Sequence, residues 1–144
     1  RAEIQALVVK SSSPQPRRVT NGVDSSRVAM LLAVLERRAG ISLSDKDVYV
    51  STVGGMRIIE PAADLAIAIA IASAVSDKPV STKVAAFGEI SLSGEVRGVA
   101  NLSQRTNEAS RLGHKIIIDS TSGQLKKALT QALAQSDKSQ QVSS

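Results

Sequence analysis

From Pro61 to Val75 the chain reads PAADLAIAIAIASAV, with no polar residue between Asp64 and Ser73. Leu65, Ile67, Ile69 and Ile71 alternate with alanines, which is the two-residue period of a strand. Three features favour a helix instead: the length of the run, five alanines between Ala62 and Ala70, and Pro61 at the start. Proline suits a helix's first turn because its missing donor would be unpaired there anyway. A helix that is apolar all round has no face for water and must be enclosed. The segment Ala62–Val75 therefore predicts a central buried helix, and the rest of the chain has to cover it.

The covering core must be aliphatic, since Phe87 and Tyr49 are the only aromatic residues among 144. That also argues against reading nucleic-acid bases by stacking on rings. Cysteine is absent, which excludes disulfides and thiolate metal sites and fits a reducing cytosol. The apolar residues 3–9 are too short for a secretory signal, and Leu65–Val75 falls well under the roughly 20 residues of a membrane span. A cytoplasmic, soluble chain of one domain over residues 1–135 is expected, with a polar, disordered tail at 136–144. The net charge of +5 favours polyanionic partners.

Residues 3–10 read as a strand buried on both sides, followed by a Ser/Pro-rich loop at Ser11–Pro16. Asp24 or Ser25 can cap a helix carrying Val28, Leu31 and Leu35, which Gly40 ends. Asp47–Val53 reads as a strand, with a turn or bulge at Gly54–Gly55 and the strand resuming at Met56–Ile59. Beyond the buried helix come a strand at Val84–Ile90 and a hairpin at Ser91–Val99 turning at Ser93–Gly94. Asn101 caps a helix through Leu112, Lys115–Asp119 is a strand, and Leu125, Leu129 and Leu133 mark a last helix. The order is that of a mixed α/β domain.

The residues offer little conventional chemistry. His114 is the single histidine, so it cannot build a metal site by itself, and no G-x-S-x-G elbow accompanies it. Gly54–Gly55 lacks the Gly-Lys-Ser/Thr continuation that cradles phosphates. Glu89 and Glu95 flank the hairpin as a conceivable acid pair, an arrangement too common to carry weight. The expectation is a chain that is not an enzyme.

Two segments carry a resemblance. One is Gly54-Gly55-Met56 with Glu60-Pro61-Ala62-Ala63-Asp64. The other is Phe87-Gly88-Glu89-Ile90-Ser91-Leu92-Ser93-Gly94-Glu95-Val96-Arg97-Gly98-Val99, followed by a helix. Together they resemble the proteolytic domain of Lon proteases over roughly residues 3–135. The resemblance implies the Lon proteolytic-domain-like fold (ribosomal protein S5 domain 2-like), with mixed sheets covered by helices. It also implies a Ser-Lys dyad, in which a desolvated lysine takes the serine's proton. By position the serine falls on Ala62 and the lysine on Ser103, so both groups are missing.

Pro61-Ala62-Ala63-Asp64, Phe87-Gly88-Glu89-Ile90 and the run Arg18–Arg27 are similar to the C-terminal domain of the RadA (Sms) family of DNA-repair ATPases. That similarity implies a homo-hexameric ring, nonspecific DNA contact during branch migration, and work beside RecA-type recombination machinery, away from membranes. No cofactor is expected in this segment; ATP, Mg and Zn belong to modules outside it. Phosphate contacts are expected from Arg17, Arg18, Arg57, Arg97, Arg105 and Lys115. Arg37 and Arg38 are set aside as complements to a helix's negative end, and Lys126 and Lys127 as a solvated face. Arg27 is expected to pair with Asp24 or a neighbouring subunit. The alternatives are a structural scaffold without DNA contact and an active Lon-type peptidase, the latter disfavoured by Ala62 and Ser103.

Overall fold

The computed structural model describes residues 3–134. The expected tail at 136–144 lies outside them. Seven strands and four α-helices alternate along the described chain, with the long apolar helix at their centre.

The largest sheet has the order β1-β3-β2, built from β1 (Ile4–Lys10), β2 (Arg18–Asn21) and β3 (Lys46–Thr52). β1 runs antiparallel to β3, with Leu7 opposite Tyr49, and β2 runs parallel to β3, with Val19 opposite Tyr49. The connection from β2 to β3 is α1 (Ser25–Ala39). Asp24 caps it by accepting the Ser26 N–H at 3.2 Å. Gly40 ends it at φ 71°, and both Gly40 and Ile41 donate to the Leu35 carbonyl. Val28, Leu31, Leu32, Val34 and Leu35 form its buried stripe.

A single turn of 3-10 helix, Pro61–Ala63, opens α2 (Asp64–Ser76). Leu65, Ala68 and Ile71 are wholly inaccessible, so the helix reading of the alternating run holds. Helix geometry prevails because an apolar cylinder can be packed on several sides at once. Here β1 and β3, α1 and α4 (Leu125–Leu133) all lie against it. Truncating a wholly buried leucine such as Leu65 to alanine costs about 2–5 kcal/mol by this mechanism.

Two further pairs complete the architecture. β4 (Val84–Ala86) pairs in parallel with β7 (Ile116–Ile118), and β5 (Glu89–Ile90) pairs antiparallel with β6 (Val96–Arg97). Between β6 and β7 runs α3 (Leu102–Arg111).

The structure corrects four local expectations and adds one strand. β1 is buried on one face only: Ile4, Ala6 and Val8 pack inward, while Leu7 and Val9 point to solvent at 58% and 42% exposure. The reason is that helices cover only one face of this sheet, so the other face, which also carries Tyr49 and Val19, meets no second layer among the described residues. Arg18–Asn21, to which the sequence reading assigned no element, is a strand. Met56–Ile59 does not resume β3. Instead Ile58 bridges to Val23, donating its N–H to the Gly22 carbonyl at 2.7 Å. Val84–Ile90 is two strands in different sheets, divided at Phe87–Gly88. Asn101 stands at the start of α3 in the left-handed region, φ 60°, and its side chain caps nothing. A capping side chain needs extended backbone to turn back on the first turn.

Candidate functional site

The segment Glu60–Asp64 and the hairpin Glu89–Arg97 lie side by side because α2 begins against β5. Gly88 donates its N–H to the Ala62 carbonyl at 3.0 Å, and Leu65 donates to the Gly88 carbonyl at 3.0 Å. A Cβ at Gly88 would stand 2.6 Å from Val96 Cγ1, so glycine is required for this approach. Asp64 fixes the corner. Its carboxylate is fully buried, accepts the Ile90 N–H at 3.0 Å and holds the Arg27 guanidinium in a two-pronged pair, with Nε to Oδ1 at 2.7 Å.

Within the chain Arg27 pairs with Asp64 and not with the expected Asp24. Asp64 is nearer in space because α1 and α2 pack together. The Asp64 carboxylate, through its hydrogen bonds above all, holds the Arg27 pKa above its ordinary value. Glu89 adds a second carboxylate 3.6 Å from the same guanidinium. Sequence reasoning quoted Asp64 inside a motif without giving it this role. The available signal was a lone carboxylate opening a helix that has no other polar residue before Ser73, since a buried charge needs a partner.

At the dyad positions, Ala62 is buried and Ser103 is exposed on the first turn of α3. The two elements are tied together one step away: Glu60 accepts from Arg105 across 45 residues, at 3.0 Å for the shorter bond. The Arg105 hydrogen bond, ahead of its charge, holds the Glu60 carboxyl below its ordinary range. The structure thus sets the start of α2 beside the start of α3. No hydroxyl or amine occupies position 62.

The six cations expected to meet phosphate divide by what they already hold. Arg18 lies on β2 and donates to the carbonyls of Lys46 at 2.6 Å and Leu43 at 2.9 Å. Arg105 donates to the Ala100 carbonyl as well as to Glu60. Arg97 is exposed, with Glu95 only at 3.9 Å. Arg17 is exposed, and its backbone N–H, not its guanidinium, binds Asp47 at 2.7 Å. Arg57 and Lys115 are exposed, and among the described residues neither side chain enters a hydrogen bond or ion pair. Arg57 lines a polar cavity of about 520 Å³ with Asn21, Gly22, Asp24 and Gly55.

The imagined acid pair dissolves, since Glu89 faces Arg27 and Glu95 faces Arg97. His114 places Nδ1 2.7 Å from the Thr82 carbonyl, a structural contact at the rim of a larger cavity of about 950 Å³. The described residues contain no cluster of potential metal ligands. No helix among them is long and apolar enough to cross a membrane.

Residues 25–122 match the family model described as subunit ChlI of Mg-chelatase. The chain is similar to the DNA repair protein RadA of Streptococcus pyogenes serotype M3, at 47% identity over 112 residues and 78% of this chain. It is equally similar to those of Halalkalibacterium halodurans and Bacillus subtilis, at 47% identity over 116 residues and 81% of this chain. It spans about a quarter of the length of these curated relatives, 25% in each case. The expectation of a chain that is not an enzyme is overturned by the family match. The matching family is described as a subunit of an enzyme, Mg-chelatase, and motifs sought within a segment that spans a quarter of its relatives do not support the opposite classification. With the model covering residues 25–122, the chain belongs to the family described as subunit ChlI of Mg-chelatase, and its relatives at 47% identity are DNA repair proteins RadA.

Proposed function

We propose that this chain is the Lon-like, non-proteolytic part of a cytoplasmic RadA-type DNA-repair ATPase, where it serves ring assembly and holds DNA by its phosphates during branch migration. One observation carries the DNA reading. Arg57, with no partner among the described residues, stands at a polar cavity walled by the backbone of Gly22 and Gly55. Arg17, Arg97 and Lys115 add exposed charge to a chain of net +5. Exposed cations such as Arg57 and Lys115, which hold no carboxylate among the described residues, and Arg97, which meets Glu95 only at 3.9 Å, can replace counterions on a phosphate backbone, an interaction blind to sequence and weakened by salt. Arg18 and Arg105 are weaker candidates because their donors are engaged.

The Lon-like reading is supported by the succession of α2, the β5–β6 hairpin and α3, with Ala62 and Ser103 on neighbouring elements. The hexameric ring and work beside RecA-type proteins rest on the resemblance, as does the assignment of ATP, Mg and Zn to other parts of the protein. A second reading, a scaffold without DNA contact, is favoured by the outer face of the first sheet. There Leu7, Val9 and Val19 are 58%, 42% and 47% exposed around Tyr49, an apolar surface suited to association. Fluorescence anisotropy of labelled duplex DNA at two salt concentrations, at matched oligomeric state, separates the two. Salt-steepened binding supports DNA contact, and no binding at low salt leaves the scaffold.

A further inference from the structure

The larger cavity is a groove bordered by β1 and β4 and floored by α2, which reaches Tyr49 and Ser51 of β3 on one side and Thr82 and His114 on the other. The hydrogen-bond parity of both walls follows from the ladders behind them. In the β1–β3 ladder, Val53 donates to the Glu3 carbonyl and Ser11 donates to the Asp45 carbonyl. With the observed register this assigns Gln5, Leu7 and Val9 to the pairs that exchange bonds with β3. Ile4, Ala6, Val8 and Lys10 therefore aim their N–H and C=O groups away from β3. Ile4 and Ala6 line the groove together with Gln5 and Leu7, so the whole edge of β1 borders it, and the parity decides which backbone groups are open on that side.

The opposite wall behaves alike. Ile116 donates to the Lys83 carbonyl, and Phe87 donates to the Ile118 carbonyl. In this parallel register Ala85 bonds to β7, so the backbones of Val84 and Ala86 face the other way. Val84 uses its N–H in a turn to Ser81, leaving the Val84 carbonyl and both groups of Ala86 on the groove side. Val84 and Ala86 are the two β4 residues that line it. Among the described residues, neither β1 nor β4 has a second strand neighbour. The floor presents Ala66, Ala70, Ser73 and Ala74, half-buried and small, one helical turn apart.

We infer that this groove is a strand-accepting site, which takes an extended segment of a partner polypeptide between β1 and β4. Two facing rows of alternating donors and acceptors fit only another extended backbone, which offers the same alternation on both of its edges. The small, largely apolar floor suits small or aliphatic side chains at alternate positions. The site takes no part in the DNA contacts proposed above. It lies away from Ala62, Ser103 and the cations Arg17, Arg57 and Arg97, none of which lines it.

The test is amide hydrogen exchange by NMR on the whole chain, free and with octapeptides selected from a random display library. In the free protein, Gln5, Leu7 and Val9 should exchange slowly, and Ile4, Ala6, Val8 and Ala86 quickly. A bound peptide should slow Ala6, Val8 and Ala86 by at least tenfold, and selected sequences should alternate small or aliphatic residues. Ala6→Pro deletes only a groove-facing N–H, which an edge strand tolerates, and should weaken the peptide at least tenfold. Ala70→Trp fills the floor and should abolish binding independently of the backbone. The inference is overturned if no selected peptide protects those amides. It is equally overturned if they are already slow in the free chain, which would place a segment of this chain in the groove, or if their protection rises with protein concentration alone.

Discussion

The Arg27 guanidinium and the Asp64 carboxylate meet in parallel hydrogen bonds across 37 residues of sequence, tying the first turn of α1 to the first residue of α2. The same carboxylate receives the Ile90 N–H, so three elements converge on one buried charge. Removing Arg27 leaves a buried carboxylate without its counter-charge, and removing Asp64 strands the Ile90 N–H and leaves Arg27 only Glu89 at 3.6 Å; breaking a buried pair costs about 3–5 kcal/mol. Asp64→Ala should lower stability by about 3 kcal/mol or more in urea denaturation. Asp64→Asn, which keeps an acceptor for Ile90, should lose less. A cost under about 1 kcal/mol for the alanine variant would show that Arg27 and Asp64 do not act as the fold's clamp.

Glycine substitutions should separate crowding from backbone strain. Gly22 has φ +84°, and a Cβ there would meet Thr52 Oγ1 at 2.1 Å and the Met56 carbonyl oxygen at 2.6 Å. Gly54 has φ +78° and nothing within 4 Å. Gly54→Ala should cost about 1–2 kcal/mol, the left-handed penalty alone. Gly22→Ala should cost clearly more, because Thr52 is buried and cannot swing away. Equal midpoints for the two variants would contradict the close packing at Gly22.

The cations should not contribute equally to DNA binding. The double variant Arg57→Ala with Arg97→Ala should lower the salt slope by about 0.9 for each phosphate no longer neutralised. Arg105→Ala should leave it nearly unchanged, since that guanidinium holds Glu60 and the Ala100 carbonyl. A slope that falls with Arg105 and not with Arg57 would reverse the assignment.

At the dyad positions, a serine-directed phosphonate should label nothing, as position 62 carries no hydroxyl and Ser103 lies exposed on α3. Mass spectrometry of the treated chain reads this directly. Labelling of Ser103 that disappears in Ser103→Ala would reinstate a nucleophile.

The Glu60–Arg105 pair carries a pH dependence of definite sign. The Glu60 carboxyl is held low first by the Arg105 hydrogen bond, so its contribution is complete above the ordinary glutamate pKa, about 4.3. That contribution fades as pH falls from there through the lowered folded value. Because Glu60 is 54% exposed, solvent screening limits the pair to about 0.2–1 kcal/mol. Glu60→Gln should remove this component of the acid dependence and leave stability below that window unchanged. An identical stability-versus-pH curve for the variant would show that the pair contributes nothing.

Much of this was legible in the chain itself. Pro61 and the length of the alanine-rich run pointed to a largely buried helix in spite of its two-residue period, because a proline start and a run's length are local properties. Asp24 and Gly40 bounded α1 for the same reason, and the Gly88-to-Arg97 motif foretold a hairpin. Tertiary structure decided what depends on partners remote in sequence. The run at Val84–Ile90 is uniformly strand-like, yet Phe87 and Gly88 pass it from the β7 pairing to the β6 pairing. β1 reads as buried on both faces, and only the packing of helices against a single face of its sheet leaves Leu7 and Val9 in solvent. Arg27 had a carboxylate three residues away and took one 37 residues away, since packing α1 on α2 brought Asp64 to it. Composition could count the cations; only the fold could separate Arg18 and Arg105, whose donors are held by carbonyls and Glu60, from Arg57, whose donors meet no described residue. Periodicity fixes which way a side chain points along its own element. Which charge it meets is fixed by the packing of elements that the periodicity never sees.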